Sequence, residues 1–63
     1  MSGQELRRLR LQLGFTQEQW AVRLGLFVNT VSNYERDRRK IPQVVEIAAR
    51  RIAFHGRRMA RSR

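Results

Sequence analysis

Residues 16–36, TQEQWAVRLGLFVNTVSNYER, decide how this chain folds. Thr16 with Gln19 three residues later is a capping box, the device that opens a helix by giving free N–H groups a side-chain acceptor. Trp20, Leu24, Leu26, Val31 and Tyr34 then fall on one side, Ala21 is small enough for the closest helix crossing, and Gly25 supplies the positive φ of a turn. The stretch reads as helix, tight turn, helix, with the first helix ending near Leu24 and the second covering about residues 28–36.

The spacing from Ala21 to Gly25 to Val31 to Tyr34, with the lead-in Gly14-Phe15-Thr16-Gln17, resembles the helix-turn-helix of the Cro and phage-repressor (XRE-like) family of DNA-binding regulators. The resemblance covers roughly residues 4–54. It implies an all-α, compact four-helix, lambda-repressor-like domain over residues 1–56, followed by a basic tail over residues 57–63. Two positions depart from the family pattern. Phe27 stands in the turn where Ser or Thr commonly caps the recognition helix, so the first N–H groups lose their usual acceptor and meet a phosphate or water instead. Asp37 stands where the family usually has Gly, at a place that asks for left-handed backbone.

Working outward, Ser2 and Glu5 form a second capping box that opens a first helix. Leu6, Leu9 and Leu13 make its core stripe, and Gly14 ends it. Trp20 is expected to pin the second helix to this one, as a core residue rather than a base-stacking platform. Beyond the motif, Arg38, Arg39 and Lys40 form a basic loop, and Pro42 suits the first turn of a fourth helix that continues to about Phe54 or His55. Val44, Val45, Ile47, Ala48, Ile52 and Ala53 give that helix more apolar surface than one packing stripe needs, which points to self-association through Val45, Ala49 and Ile52. Gly56 is expected to stop the helix, leaving residues 57–63 as a largely disordered basic tail.

A chain of 63 residues holds one small domain with a marginal core, so a dimer partner is physically attractive. There is no cysteine to staple it or to hold a metal. The 14 Lys and Arg against 5 Asp and Glu leave a net charge of +9, which calls for a polyanionic partner. No apolar run approaches the roughly 20 residues of a membrane-spanning helix and no signal-peptide core is present, so the expected location is cytoplasmic, with no membrane partner.

Reading base edges in the major groove requires short polar and apolar side chains along one face of the third helix. Val28, Asn29, Ser32 and Asn33 meet that requirement: Asn pairs with the adenine edge, Ser with several bases, and Val packs on a thymine methyl. The plainer alternative is a solvated polar face. Phe27 either touches a sugar or thymine methyl or folds into the turn. By resemblance, Gln17 at the start of the second helix contacts backbone phosphate, and Arg10 and Glu35 match a structural ion pair whose arginine can also reach phosphate. Arg36, Arg38, Arg39 and Lys40 follow the reading face directly and are placed to neutralise phosphates; the alternative is a run that merely aids solubility. His55, the lone histidine, is expected to sit at a helix C-terminus. No metal-ligand cluster, cofactor motif or nucleophile–base set is evident, so no cofactor is expected and an enzyme reading is rejected.

The first reading is a sequence-specific regulator of double-stranded DNA, a repressor binding an inverted-repeat operator as a homodimer. The size and charge also suit a regulator from a phage or mobile element, or an antitoxin that represses its own operon and binds a toxin through the fourth helix or tail. A different class is a non-specific basic nucleic-acid-binding protein held by charge, with little discrimination among sequences or strands. A third is a protein-interaction module that uses the motif only as a scaffold.

Overall fold

Two capping boxes start the chain's first two helices. The Ser2 hydroxyl accepts the Glu5 backbone N–H at 3.2 Å, and the Thr16 hydroxyl accepts that of Gln19 at 3.1 Å, while each N3 side chain reaches back to its cap. In the computed structural model, which describes the backbone of residues 1–61 and the side chains of residues 1–55, the helices are α1 (Gly3–Gln12), α2 (Gln17–Leu24), α3 (Val28–Glu35) and α4 (Gln43–Arg61). Among the described residues there is no strand. Gly25 closes α2 at φ 71°, so the turn into α3 falls on the residue type that adopts left-handed backbone without strain.

The core is a single cluster of Leu6, Trp20, Ala21, Val31, Tyr34, Ile41, Val45 and Ala49, with Leu9, Leu13, Phe15, Leu24, Leu26 and Ile52 packed around it. Trp20 is fully buried, and its indole N–H finds no acceptor among the described residues. That orphaned donor costs about 1–3 kcal/mol. Removing about 200 Å² of ring from water at about 25 cal/mol/Å² contributes roughly 5 kcal/mol, so burial wins. α2 packs chiefly on α3 and α4. Trp20 is a core residue, as expected, in one buried cluster with Leu6 of α1, Val31 of α3 and Val45 of α4, and the Phe15 ring is 5.8 Å away.

Two expectations for the last helix are overturned. Val45 and Ala49, expected to contact a second copy, are buried in the chain's own core, and Ile52 is half-buried against it. A helix that is apolar on two sides gives no periodic cue to which side faces inward, and here the inner side is Val45, Ala49 and Ala53. Gly56 does not stop α4, which runs on to Arg61. One glycine costs about 1 kcal/mol relative to alanine, too little to end a helix flanked by good formers such as Arg57, Arg58 and Ala60. His55 thus lies inside the helix and not at its end. Of the expected tail, residues 57–61 are helical, while Ser62 and Arg63 lie outside the described residues.

Candidate nucleic-acid interface

α3 divides cleanly between core and surface. Val31, Tyr34 and Glu35 are buried, at the spacing of one helical face. Val28 and Asn29 are exposed and Ser32 and Asn33 half-buried, so the four residues expected to read bases share the outer face. The N-cap is Phe27, in extended backbone, with no side-chain hydrogen bond to the first turn. Its ring is 84% exposed, which removes the alternative that it folds into the turn. α3 therefore presents its unsatisfied N–H groups and an apolar ring together, with no acidic residue in its first turn.

The opposite end of α3 is anchored. The Glu35 carboxylate is buried and takes Arg10 Nε at 2.8 Å, Arg10 Nη2 at 3.2 Å and Gln17 Nε2 at 3.1 Å. The remaining Arg10 nitrogen, Nη1, donates to the Phe15 carbonyl at 3.0 Å. This network ties α1, the approach to α2, and α3 into one body through charge-assisted bonds. The Arg10 side chain is 11% exposed and each of its three nitrogens is engaged inside the protein, so its role here is chiefly structural, with two of its five N–H groups left for the phosphate contact expected of it. Gln17 is half-buried, and its bond to Glu35 leaves it one amide N–H for another acceptor. Its neighbour Glu18 is exposed, a carboxylate that works against a phosphate at the start of α2.

Just past α3, Asp37 adopts left-handed backbone at φ 58°, as the place normally held by glycine demands. Its carboxylate also accepts the Gly3 N–H at 2.8 Å, so the side chain that departs from the family pattern links the end of α3 to the start of α1. At Gly3 the two elements touch so closely that a Cβ would collide with the Tyr34 carbonyl oxygen and lie 2.7 Å from that of Glu35. Sequence reading did not find this contact; a glycine at the very start of a helix, opposite an acid that replaces glycine, was its one signal. The chain then turns outward, and Arg36, Arg38, Arg39 and Lys40 are all exposed, with no ion pair among the described residues. The nearby acids Glu35 and Asp37 already have partners within the fold. The outer face of α3, with its short side chains, is thus continuous with a cationic loop that has no ion pair among the described residues.

Elsewhere, Glu46 accepts the Met1 amino group at 3.1 Å and Arg50 at 3.2 Å, and these two bonds, the amino group's first, hold its carboxyl below the usual carboxylate range. Among the described residues no group of three or more His, Cys, Asp or Glu is placed to hold a metal. No helix of the described residues is long and apolar enough to cross a membrane.

No curated protein and no solved structure is significantly similar to the chain. The sequence profile of a family described as Helix-turn-helix domain matches residues 3–61, nearly the whole chain and all four helices. The exposed outer face of α3, the basic loop after it and this match agree, and the chain belongs to the helix-turn-helix domain family, a family of DNA-binding domains.

Proposed function

We propose that the protein is a sequence-specific regulator of double-stranded DNA, of the Cro and phage-repressor type, which represses by occluding a promoter. α3 enters the major groove with Val28 against a thymine methyl, Asn29 and Asn33 on adenine edges, and Ser32 on a neighbouring base. Arg36, Arg38, Arg39 and Lys40 neutralise phosphates beside the groove, and the free N–H of Gln17 reaches a further one. The single observation that carries the reading is the outer face of α3 running into four exposed cations that have no ion pair among the described residues.

Two copies act on an inverted repeat. An eight-residue helix offers only a few readers, and each correctly read base pair contributes about 1–3 kcal/mol of discrimination, too little from one half-site to stand out in a genome. Doubling the site by symmetry supplies the rest.

The net charge of +9 favours one competing reading, a non-specific binder held by charge. Selection of bound duplexes from a random pool, at physiological salt with excess competitor, separates the two. Enrichment of an inverted repeat is the expected result. Retention of DNA without enrichment of any sequence would replace the proposal with the charge-driven one.

A further inference from the structure

Phe27 is the most exposed large apolar side chain among the described residues. The chain's other two phenylalanines have ring partners, Phe15 with Trp20 at 5.8 Å and Phe54 with His55 at 6.0 Å, whereas Phe27 has none among the described residues. It is the N-cap of α3, where its ring gives the first turn no hydrogen-bond acceptor, and the exposed Val28 follows it directly. The residue therefore weakens the start of the helix and gains little burial in return. Two apolar side chains lead a face whose next members, Asn29, Ser32 and Asn33, are polar.

We propose that Phe27 reads the C5-methyl group of a pyrimidine in the major groove, at the base pair beside the one that Val28 touches, and accepts thymine and 5-methylcytosine alike. The proposal rests on the reading of the protein as a sequence-specific regulator whose α3 enters that groove. The N-terminal residues of such a helix are the ones brought to base edges. A phenyl ring has neither donor nor acceptor, so it has nothing to offer a phosphate, and the apolar group that base edges present in the major groove is the C5-methyl. Consecutive Cα atoms lie about 3.8 Å apart, close to the rise of about 3.4 Å per base pair, so neighbours in the chain address neighbours in the duplex.

The lack of polar atoms sets the specificity. Thymine carries a carbonyl acceptor beside its methyl, and 5-methylcytosine carries an amino donor in the same place. A serine or asparagine distinguishes the two. A hydrocarbon ring bonds to neither and meets the same methyl in both. Recognition at this position is therefore of the methyl and not of the base, and methylation of a cytosine there switches binding on.

The test starts from a duplex recovered by selection, with affinity followed by fluorescence anisotropy at fixed salt. Replacing thymines by uracil, one at a time, removes each methyl and keeps every hydrogen bond. Two neighbouring base pairs of a half-site should prove sensitive, each by roughly fourfold, the fold-change that a buried methyl contributes. Phe27→Ala should erase the effect at one of them and keep it at the other, and Val28→Ala the reverse. At the Phe27 position, cytosine should bind like uracil, and 5-methylcytosine should restore affinity to within about twofold of thymine. The uracil series uses the unaltered chain, and circular dichroism checks the variant; if Phe27→Ala unfolds, Phe27→Ser, which supplies a cap, replaces it. Failure of 5-methylcytosine to restore binding confines the contact to thymine and refutes a methyl-only reader. Indifference to every uracil, or a uracil effect that Phe27→Ala leaves unchanged at both positions, would place the ring on the sugar–phosphate backbone and overturn the proposal while the sequence-specific reading stands. A selection that enriches no duplex overturns both.

Discussion

The two ends of α3 are built in opposite ways. At its C-terminal end a buried carboxylate is matched by three donors from two side chains, the next turn is left-handed, and Asp37 and Gly3 fasten it to α1. At its N-terminal end the cap is an exposed phenylalanine whose side chain makes no hydrogen bond to the first turn. One end holds the helix in place and the other is left bare. Substitutions at the anchored end should therefore be felt as stability, and those at the bare end as recognition.

The largest effect is expected from Glu35→Ala, which strands the Arg10 guanidinium inside the protein. Breaking one side of a buried pair costs about 3–5 kcal/mol. Urea unfolding followed at two independent probes should show it, and a loss below about 1 kcal/mol would mean that the pair is open to water. Gly3→Ala comes next. Its Cβ meets backbone carbonyls that have no side-chain freedom to yield, so a loss of about 1–3 kcal/mol is expected in the same measurement. If Gly3→Ala is neutral, α1 does not lie on the end of α3 as closely as described.

Phe27→Ser should act in the reverse direction, because it introduces the missing acceptor: the protein gains about 0.5–1 kcal/mol on thermal unfolding. A loss instead would show that the Phe27 ring contributes to folding despite its exposure. At the reading face, Asn33→Ala should change stability by no more than about 0.5 kcal/mol and relax base preference at one position of the selected site, while Arg39→Ala weakens binding to every sequence and lowers the salt slope by about one. Identical effects of the two variants would erase the distinction between readers and phosphate contacts. The smallest effect is pH dependence at Glu46. Its carboxyl titrates lower when folded than unfolded, so its contribution is present above the ordinary carboxylate range and fades as pH falls through the lowered folded value. Glu46→Gln should flatten the acid side of the stability profile slightly.

Much of this was legible in the sequence. Ser2 with Glu5 and Thr16 with Gln19 announce helix starts by a local bond that needs no tertiary information, and Gly25 announces its turn by the backbone it permits. Val28, Asn29, Ser32 and Asn33 share a face because Val31 and Tyr34 define the other one. What could not be read depended on distance in the chain. Arg10 looks locally like its neighbours Arg7 and Arg8; its pairing with Glu35 was expected only through the family resemblance, and its bond to the Phe15 carbonyl was not expected at all. Val45 and Val44 are adjacent residues of the same type, one buried and one exposed; which faces inward was settled by how α4 lies on α1 and α2. Gly56 looked like a stop because a local preference was given more weight than the helix on either side of it.

Trp20 is the one tryptophan of the chain, and it lies fully buried at the centre of the shared core. The protein thus carries a single optical gauge whose emission reports whether the interior is intact, free of any second indole at the surface. Light from that ring should stay at the wavelength of a dry environment while DNA docks on the outer face of α3, and move to the red only when the fold itself opens. Binding and unfolding can then be watched in one cuvette without a label.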